Sequence, residues 1–167
     1  MSEAIFRYDE IASLEEHSLA TLAPARKCGC DMRGKMKNKF TVTVTMNAKA
    51  EKIYKAYLSS EGHSAMTGSP ARVDGTINGD FTAWDGYIQG MFLELEKNRR
   101  IVQAWRTAEF PTDAEDSIVE ILLEESRGKT KLTLNHSNIP EGQAESYKTG
   151  WEDFYFKPMR EWCGKGK

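Results

Sequence analysis

The chain lacks the features that mark a membrane or nucleic-acid-binding protein. No apolar run approaches the roughly 20 residues of a membrane span, and acidic residues such as Glu3 and Asp9 interrupt any secretory signal. The net charge is only -2 over 167 residues, and no basic stretch is interleaved with aromatic residues. We therefore expect a cytoplasmic protein with no membrane or nucleic-acid partner.

Cysteine and histidine are scarce as well. The three cysteines, Cys28, Cys30 and Cys163, form neither a disulfide framework nor a pair of zinc-ligand motifs. The sequence also has no Walker loop, dinucleotide fingerprint or nucleophile elbow. It therefore predicts no metal and no cofactor, and it argues against an enzyme.

The sequence divides into two parts near residue 38. Residues 1–38 combine a loose helical pattern between Ile5 and Leu22 with a basic, glycine-containing stretch that has almost no large apolar residue. Such a segment buries too little apolar surface to offset its ordering entropy, so we predict an N-terminal extension that is flexible or partly helical. One folded domain is predicted over residues 39–163.

This domain shows strand patterns with short connections. FTVTVTM alternates apolar and threonine residues, and Asn47 is the predicted N-cap of a helix with Ile53 on its apolar side. Connections as short as the ones that follow force neighbouring strands to be antiparallel. The turn signals are Asn78-Gly79, Asp85-Gly86, Asn98-Arg99 and Arg127-Gly128. The prediction is an antiparallel sheet of about seven strands.

A helix with an aromatic stripe follows the last strand. Tyr147, Trp151, Tyr155 and Trp162 recur at helical spacing, so this helix should pack on the sheet. Pro158 lies inside it and should kink it near the preceding turn, which would let the helix follow a curved sheet. The predicted fold class is α+β, a curved antiparallel sheet wrapped on a long C-terminal helix.

Several segments, in order, resemble one known family. They are GHSAMTGSPA (62–71), FTAWDGYIQG (81–90), RIVQAWR (100–106), Asp116-Ser117, TKLTLNHSNIP (130–140) and YKTGWEDFYFKPM (147–159). Over residues 39–162 they are similar to the activator of heat-shock-protein-90 ATPase homologue family, of the START-like SRPBCC superfamily. The resemblance implies the helix-grip fold and a single-domain relative of a co-chaperone's C-terminal domain. Superfamily members elsewhere bind lipids, hormones or polyketides in a cavity between sheet and helix.

Strand alternation predicts which side chains face such a cavity. If Glu94 and Glu96 face water, alternation puts Tyr87, Gln89 and Met91 on the opposite, inner face of the sheet. Charged residues in the later strands set the inner faces of those strands in the same way. The candidate ligand-binding residues are Tyr87, Gln89, Met91, Gln103, Trp105, Ser117, His136, Tyr147, Trp151 and Tyr155.

The polar members of this set need partners, because an unpaired buried amide or imidazole is costly. Gln89 and Gln103, on adjacent strands, could bond each other, and His136 could be a satisfied core histidine near a strand end. Alternatively these groups line a wet cavity and orient a ligand. No carboxylate on the same face is available to orient His136 as a base.

Three functions remain open. The first is a non-catalytic protein that binds a small, largely apolar molecule. The second is a co-chaperone-like module acting on a heat-shock-protein-90-type ATPase, whose acidic residues Glu94, Glu96, Glu124 and Glu125 would meet a basic partner. The third is an enzyme on a polyketide-like substrate that uses His136 as acid or base. We expect a monomer or a weak dimer.

Overall fold

The computed structural model describes residues 38–165. The predicted N-terminal extension and the pair Cys28 and Cys30 lie outside the described residues, apart from Asn38. The elements are β1 (Phe40–Met46), α1 (Ala50–Tyr57), α2 (Ser60–Thr67), β2 (Ala71–Val73), β3 (Asp80–Ala83), β4 (Ile88–Glu96), β5 (Arg100–Thr107), β6 (Ser117–Ser126), β7 (Lys129–Ser137), α3 (Ala144–Gly150), a π-helical segment (Trp151–Phe156) and α4 (Lys157–Gly164).

The seven strands form one antiparallel sheet in the order β1-β7-β6-β5-β4-β3-β2. The turns lie where the dipeptides predicted them, and Asn78, Asp85, Asn98 and Arg127 all take a positive φ. Asparagine and aspartate tolerate this conformation better than most residues, which suits tight hairpin turns. The predicted seven-stranded antiparallel α+β fold is confirmed.

The start of α1 differs from the prediction. The helix begins at Ala50 rather than directly after Asn47, and the capping residue Lys49 makes no side-chain bond to the helix. Instead the Ala50 N–H donates to Oε2 of Glu125, which comes from the end of β6 (2.9 Å). A side chain from the sheet therefore caps the helix, and local sequence contains no sign of it.

The C-terminal helix comprises α3, the π segment and α4. Within the π segment the Lys157 N–H donates to the Glu152 carbonyl, five residues back. Pro158 stands at the start of α4, where its missing N–H is tolerated. The disturbance predicted at Pro158 thus takes the form of a π-helical turn before the proline. No helix among residues 38–165 has the length and apolar character to cross a membrane.

Strand β4 contains a β-bulge that corrects part of the predicted inner face, the face of the sheet that packs on the C-terminal helix. The register shifts between Phe92 and Glu94, so that Phe92 pairs with inward Gln103. Leu93 is the extra residue, and reading the alternation back through it inverts the earlier positions of β4 from Ile88 onwards. Ile88, Gly90 and Phe92 face in.

The inward orientation predicted for Gln89 and Met91 is therefore wrong. Gln89 pairs with Arg106 and Met91 with Ala104, both on the opposite face. The remaining strand assignments agree with the structure, which buries Trp105, Ser117 and His136 on the inner face together with their strand neighbours. This packing places one end of the sheet against a dense aromatic cluster.

Candidate functional site

A cleft of about 310 Å³ lies where the C-terminal helix meets the adjoining ends of β4 and β5. Four of its walls are buried aromatic side chains: Trp105, Tyr147, Trp151 and Tyr155. Trp105 comes from the end of β5, and the other three recur every four residues along one side of the helix. The cleft is at the small end of the size range typical of small-molecule sites.

Three further aromatic residues form its mouth. Trp84 and Tyr87 belong to the β3–β4 turn, in which Trp84 has φ 55°, and Phe154 comes from the π segment. Tyr87 and Phe154 are 40% and 57% exposed, so the cleft opens to solvent on their side. The Trp84 ring meets Phe154 edge-on at 5.4 Å. Exposed aromatic residues beside a pocket are a common feature of binding sites.

Two hydroxyl groups in the cleft wall, those of Thr107 and Tyr147, bond each other. Tyr147 donates to Oε1 of Gln143 (2.7 Å), so its oxygen accepts the Thr107 hydroxyl (2.7 Å). The Glu109 N–H in turn donates to Oγ1 of Thr107 (3.2 Å). This chain fixes the Tyr147 ring as a rigid wall, and it leaves neither hydroxyl proton for a ligand.

Charge stands beside the cleft but not in it. Among the described residues that line it, none has a charged side chain. Burial, and then the hydrogen bond that the Tyr87 hydroxyl donates to the Glu109 carboxylate, raise the pKa of Tyr87. The cleft is therefore apolar and aromatic, with the Glu109 carboxylate near its edge.

Behind Trp105 lies a fully satisfied histidine. The Trp151 indole N–H donates to Nδ1 of His136 (3.2 Å), so the ring proton sits on Nε2, which donates to Oγ of Ser117 (2.8 Å). The Ser117 hydroxyl donates its own hydrogen bond to the Trp105 carbonyl (2.6 Å). Burial lowers the pKa of His136 to about 3. His136 is a neutral structural link between helix and sheet.

A second cluster of buried polar side chains includes His63, which belongs to α2. Its Nδ1 donates to the Tyr57 carbonyl (3.1 Å), and burial lowers the pKa of the ring. Gln103 donates from Nε2 to the Tyr57 hydroxyl (3.1 Å). The predicted bond between Gln89 and Gln103 is wrong, because Gln89 lies on the other face and bonds the Gly86 carbonyl.

These arrangements offer little chemistry. Both nitrogens of His136 are occupied by neutral partners, so the ring has no free atom with which to move a proton of a substrate. Among residues 38–165 no three His, Cys, Asp or Glu side chains are grouped so as to hold a metal ion. Cys163 is buried, and burial raises the pKa of its thiol, which leaves it unreactive.

The ten candidate residues separate into three groups. Five of them line the cleft: Tyr87, Trp105, Tyr147, Trp151 and Tyr155. Gln103, Ser117 and His136 are buried on the inner face but do not line the cleft, and Gln89 and Met91 lie on the other face. The turn Trp84-Asp85-Gly86 was a visible signal for one of the six lining residues that sequence reasoning missed, which are Trp84, Ile88, Thr107, Ser146, Gly150 and Phe154.

A curved antiparallel sheet that packs on a long C-terminal helix defines a helix-grip protein. The family described as "Activator of Hsp90 ATPase homolog 1-like protein" matches residues 47–162, well over half of the chain. The chain belongs to this family.

Individual relatives agree with this assignment. The human protein "Activator of 90 kDa heat shock protein ATPase homolog 1" is 27% identical over 128 residues, which are 77% of this chain and 38% of that protein. "Uncharacterized protein C1711.08" of Schizosaccharomyces pombe is 29% identical over 122 residues, 73% of this chain and 36% of that protein. This chain thus spans less than two fifths of the curated relatives it matches.

Solved structures show the same fold. The crystal structure of PFC0360w, described as an HSP90 activator from Plasmodium falciparum, superposes with a TM-score of 0.70 at 27% identity. The match covers 75% of this chain and 96% of that chain. CalU16 from Micromonospora echinospora has a TM-score of 0.64 at 22% identity, covers 75% of each chain and supports the fold alone.

Proposed function

We propose that this protein is a non-catalytic binding protein whose aromatic cleft takes a small, largely apolar molecule. The observation that carries the proposal is the cleft of about 310 Å³ with buried aromatic walls and a solvent-exposed aromatic mouth. An apolar molecule seated there would leave water without displacing any hydrogen bond of the walls. The cytoplasmic location expected from the sequence is part of the same proposal.

The rigidity of the walls supports this reading. Trp151 is held by its bond to His136, and Tyr147 by its bonds to Gln143 and Thr107. Walls that are fixed before binding lose little conformational entropy when a ligand arrives. The cleft is thus preformed, apart from the exposed side chains of Tyr87 and Phe154.

Gly150 allows a sharp test, because it lines the cleft without filling it. A Cβ built on Gly150 would meet only Cδ2 of Phe154, at 3.9 Å. Gly150→Leu should therefore fill the cleft while keeping the fold. Gly150→Ala is the matched control, and it should raise stability by up to about 1 kcal/mol through helix propensity.

The measurement is a fluorescence titration with the neutral apolar probe N-phenylnaphthylamine. Wild type and Gly150→Ala should show saturable binding, and Gly150→Leu should weaken it by about tenfold or more, ~1.4 kcal/mol. Equal binding by all three proteins, or no binding by any, would contradict the proposal.

A second candidate function comes from the relatives. We infer that an HSP90-type ATPase is a partner of this chain, because a chain of similar extent is described as an HSP90 activator and matches over 96% of its length. The acidic residues first suggested as its contact surface are engaged within the chain: Glu94 and Glu96 with Arg100, Glu124 with Lys131, and Glu125 with Ala50. Glu94, Glu96 and Glu124 nevertheless keep more than half of their side-chain surface exposed, so these weak surface pairs leave them accessible to a basic partner.

The ATPase rate of a purified HSP90-type chaperone tests this candidate. Adding the chain should raise the rate saturably, and an assay without the chaperone is the control for contaminating activity. An unchanged rate together with no association in sedimentation would count against it.

A further inference from the structure

We propose that the β1 edge of the sheet pairs with the β1 edge of a second copy of this chain, so that the two sheets join across a two-fold axis. The proposal goes beyond the binding function and does not depend on the cleft or its ligand. Three observations carry it: the opposite edge of the sheet is closed, the β1 edge is open, and the β1 sequence is complementary to itself.

The opposite edge of the sheet is closed by serine side chains. Strand β2 is only three residues long, and helix α2 lies against it. The Ala71 N–H donates to Oγ of Ser64 (2.9 Å), and the Val73 N–H donates to Oγ of Ser60 (2.8 Å). A short edge strand whose outward N–H groups already have partners offers little to another strand. The fold thus blocks one of the two edges of its sheet.

The β1 edge has no such protection within residues 38–165. Strand β1 is seven residues long and pairs with β7 along its full length without a register shift. Alternate residues of an edge strand turn their N–H and C=O groups away from the neighbouring strand, and in β1 these groups make no backbone hydrogen bond to another described residue. FTVTVTM also contains no charge and no proline, which commonly prevent edge pairing. Within the described range, β1 is therefore a long, regular strand that is open to pairing.

The outer face of β1 is complementary to itself. Thr41, Thr43 and Thr45 are all exposed on this face. In an antiparallel pair of two β1 strands centred on Thr43, Thr43 lies opposite its own counterpart and Thr41 lies opposite Thr45. Threonine pairs across neighbouring strands are favourable, and neither strand brings a charge that would repel its counterpart. This register selects a second copy of the chain rather than an unrelated strand.

The same register matches the apolar residues of the inner face. Val42 lies opposite Val44 of the second copy, and Phe40 lies opposite Met46. Phe40 and Val42 are only half-buried in the single chain, so the pairing covers apolar surface in addition to forming about six backbone hydrogen bonds. An interface of one strand pair is small, so we expect a weak dimer with a dissociation constant in the micromolar range.

Sedimentation equilibrium of the full chain tests the pairing. Wild type should show a reversible monomer–dimer equilibrium. Thr43→Lys places two like charges opposite each other at the two-fold axis and should weaken the dimer by about tenfold. Thr112→Lys, which changes an exposed threonine in the loop between β5 and β6, is the matched control and should leave the equilibrium unchanged.

A mixture of two variants makes the test specific for the register. Thr43→Glu alone should dimerise as weakly as Thr43→Lys. An equimolar mixture of the two should restore the dimer, because opposite charges then meet at the axis. Two variants that each dimerise weakly and do not associate when mixed would overturn the proposed register.

Amide hydrogen exchange locates the interface on the chain. Alternate N–H groups of β1 should exchange more slowly as the protein concentration rises, whereas those of β2 should not change. A chain that stays monomeric at millimolar concentration would overturn the proposal, and so would a dimer that Thr43→Lys leaves intact. Protection of every β1 amide in the dilute monomer would also overturn it, because another segment of the same chain would then occupy the edge. None of these outcomes bears on the cleft, whose function is tested separately by Gly150→Leu.

Discussion

Acidification tests the role of His136 as a neutral link between helix and sheet. Its Nδ1 accepts the Trp151 N–H, so a proton added there would place two donors against each other. The folded-state pKa of about 3 lies well below the usual 6.5, and burial is the cause. Because the unfolded chain binds the proton more readily, stability is fully present above pH 6.5 and falls as the pH drops towards 3.

The magnitude follows from the shift. Between pH 6.5 and 5 His136 is mostly protonated in the unfolded state and neutral in the folded state. Each pH unit in this range lowers the free energy of unfolding by about 1.4 kcal/mol, so the loss over 1.5 units is ~2 kcal/mol. Urea unfolding at several pH values should therefore show a loss of about this size from His136. His63, whose pKa burial also lowers, adds a loss in the same direction.

The variant His136→Gln isolates the contribution, because glutamine does not titrate but can still donate and accept a hydrogen bond. Its free energy of unfolding should depend less on pH than that of wild type, by about 2 kcal/mol between pH 7 and 5. Identical pH dependence in the two proteins would refute the assignment of His136 as a buried neutral ring. The effect of His63 cancels in this comparison.

Three further predictions concern stability and are measured by denaturant unfolding. Trp105→Ala should cost about 3–5 kcal/mol because the ring is buried among four others; a loss below ~1 kcal/mol would contradict its placement. Glu125→Ala should cost about 1 kcal/mol through the lost cap on Ala50, whereas the exposed control Glu124→Ala should change stability by less than about 0.5 kcal/mol. A truncated chain of residues 39–163 should unfold in one cooperative transition, and a broad, non-cooperative transition would show that this range is not a domain.

Much of the fold could be predicted from the sequence because its signals are local. Burial alternates regularly along β6 and β7, and β5 pairs with β6 without a register shift, so one outward charged residue in each strand sets the faces of the others. The turn dipeptides supply backbone conformations that few other residues adopt, and they mark the hairpins directly.

The errors occurred where a local pattern has two physical solutions. In β4 both Phe92 and Leu93 are apolar, so nothing in the sequence shows that a bulge lies between the two halves of the strand. The start of α1 depends on Glu125, which is distant in sequence, and a tertiary contact of this kind leaves no local trace.

The cleft was predicted less completely than the core. Spacing along the helix identified its walls Tyr147, Trp151 and Tyr155, since those residues also pack against the sheet. Its mouth depends on the π segment, which turns Phe154 to solvent beside Trp84. A π turn is a property of backbone bonding across the helix, and Pro158 indicated only that some disturbance would occur.

The central claim is that the aromatic cleft binds a small apolar molecule, and a crystal structure of the protein with acetylnaphthalene tests it most directly. The account predicts electron density for the probe between Trp105, Trp151 and Phe154. An empty cleft in crystals grown with excess probe, or density for the probe only at other places on the protein, would contradict it.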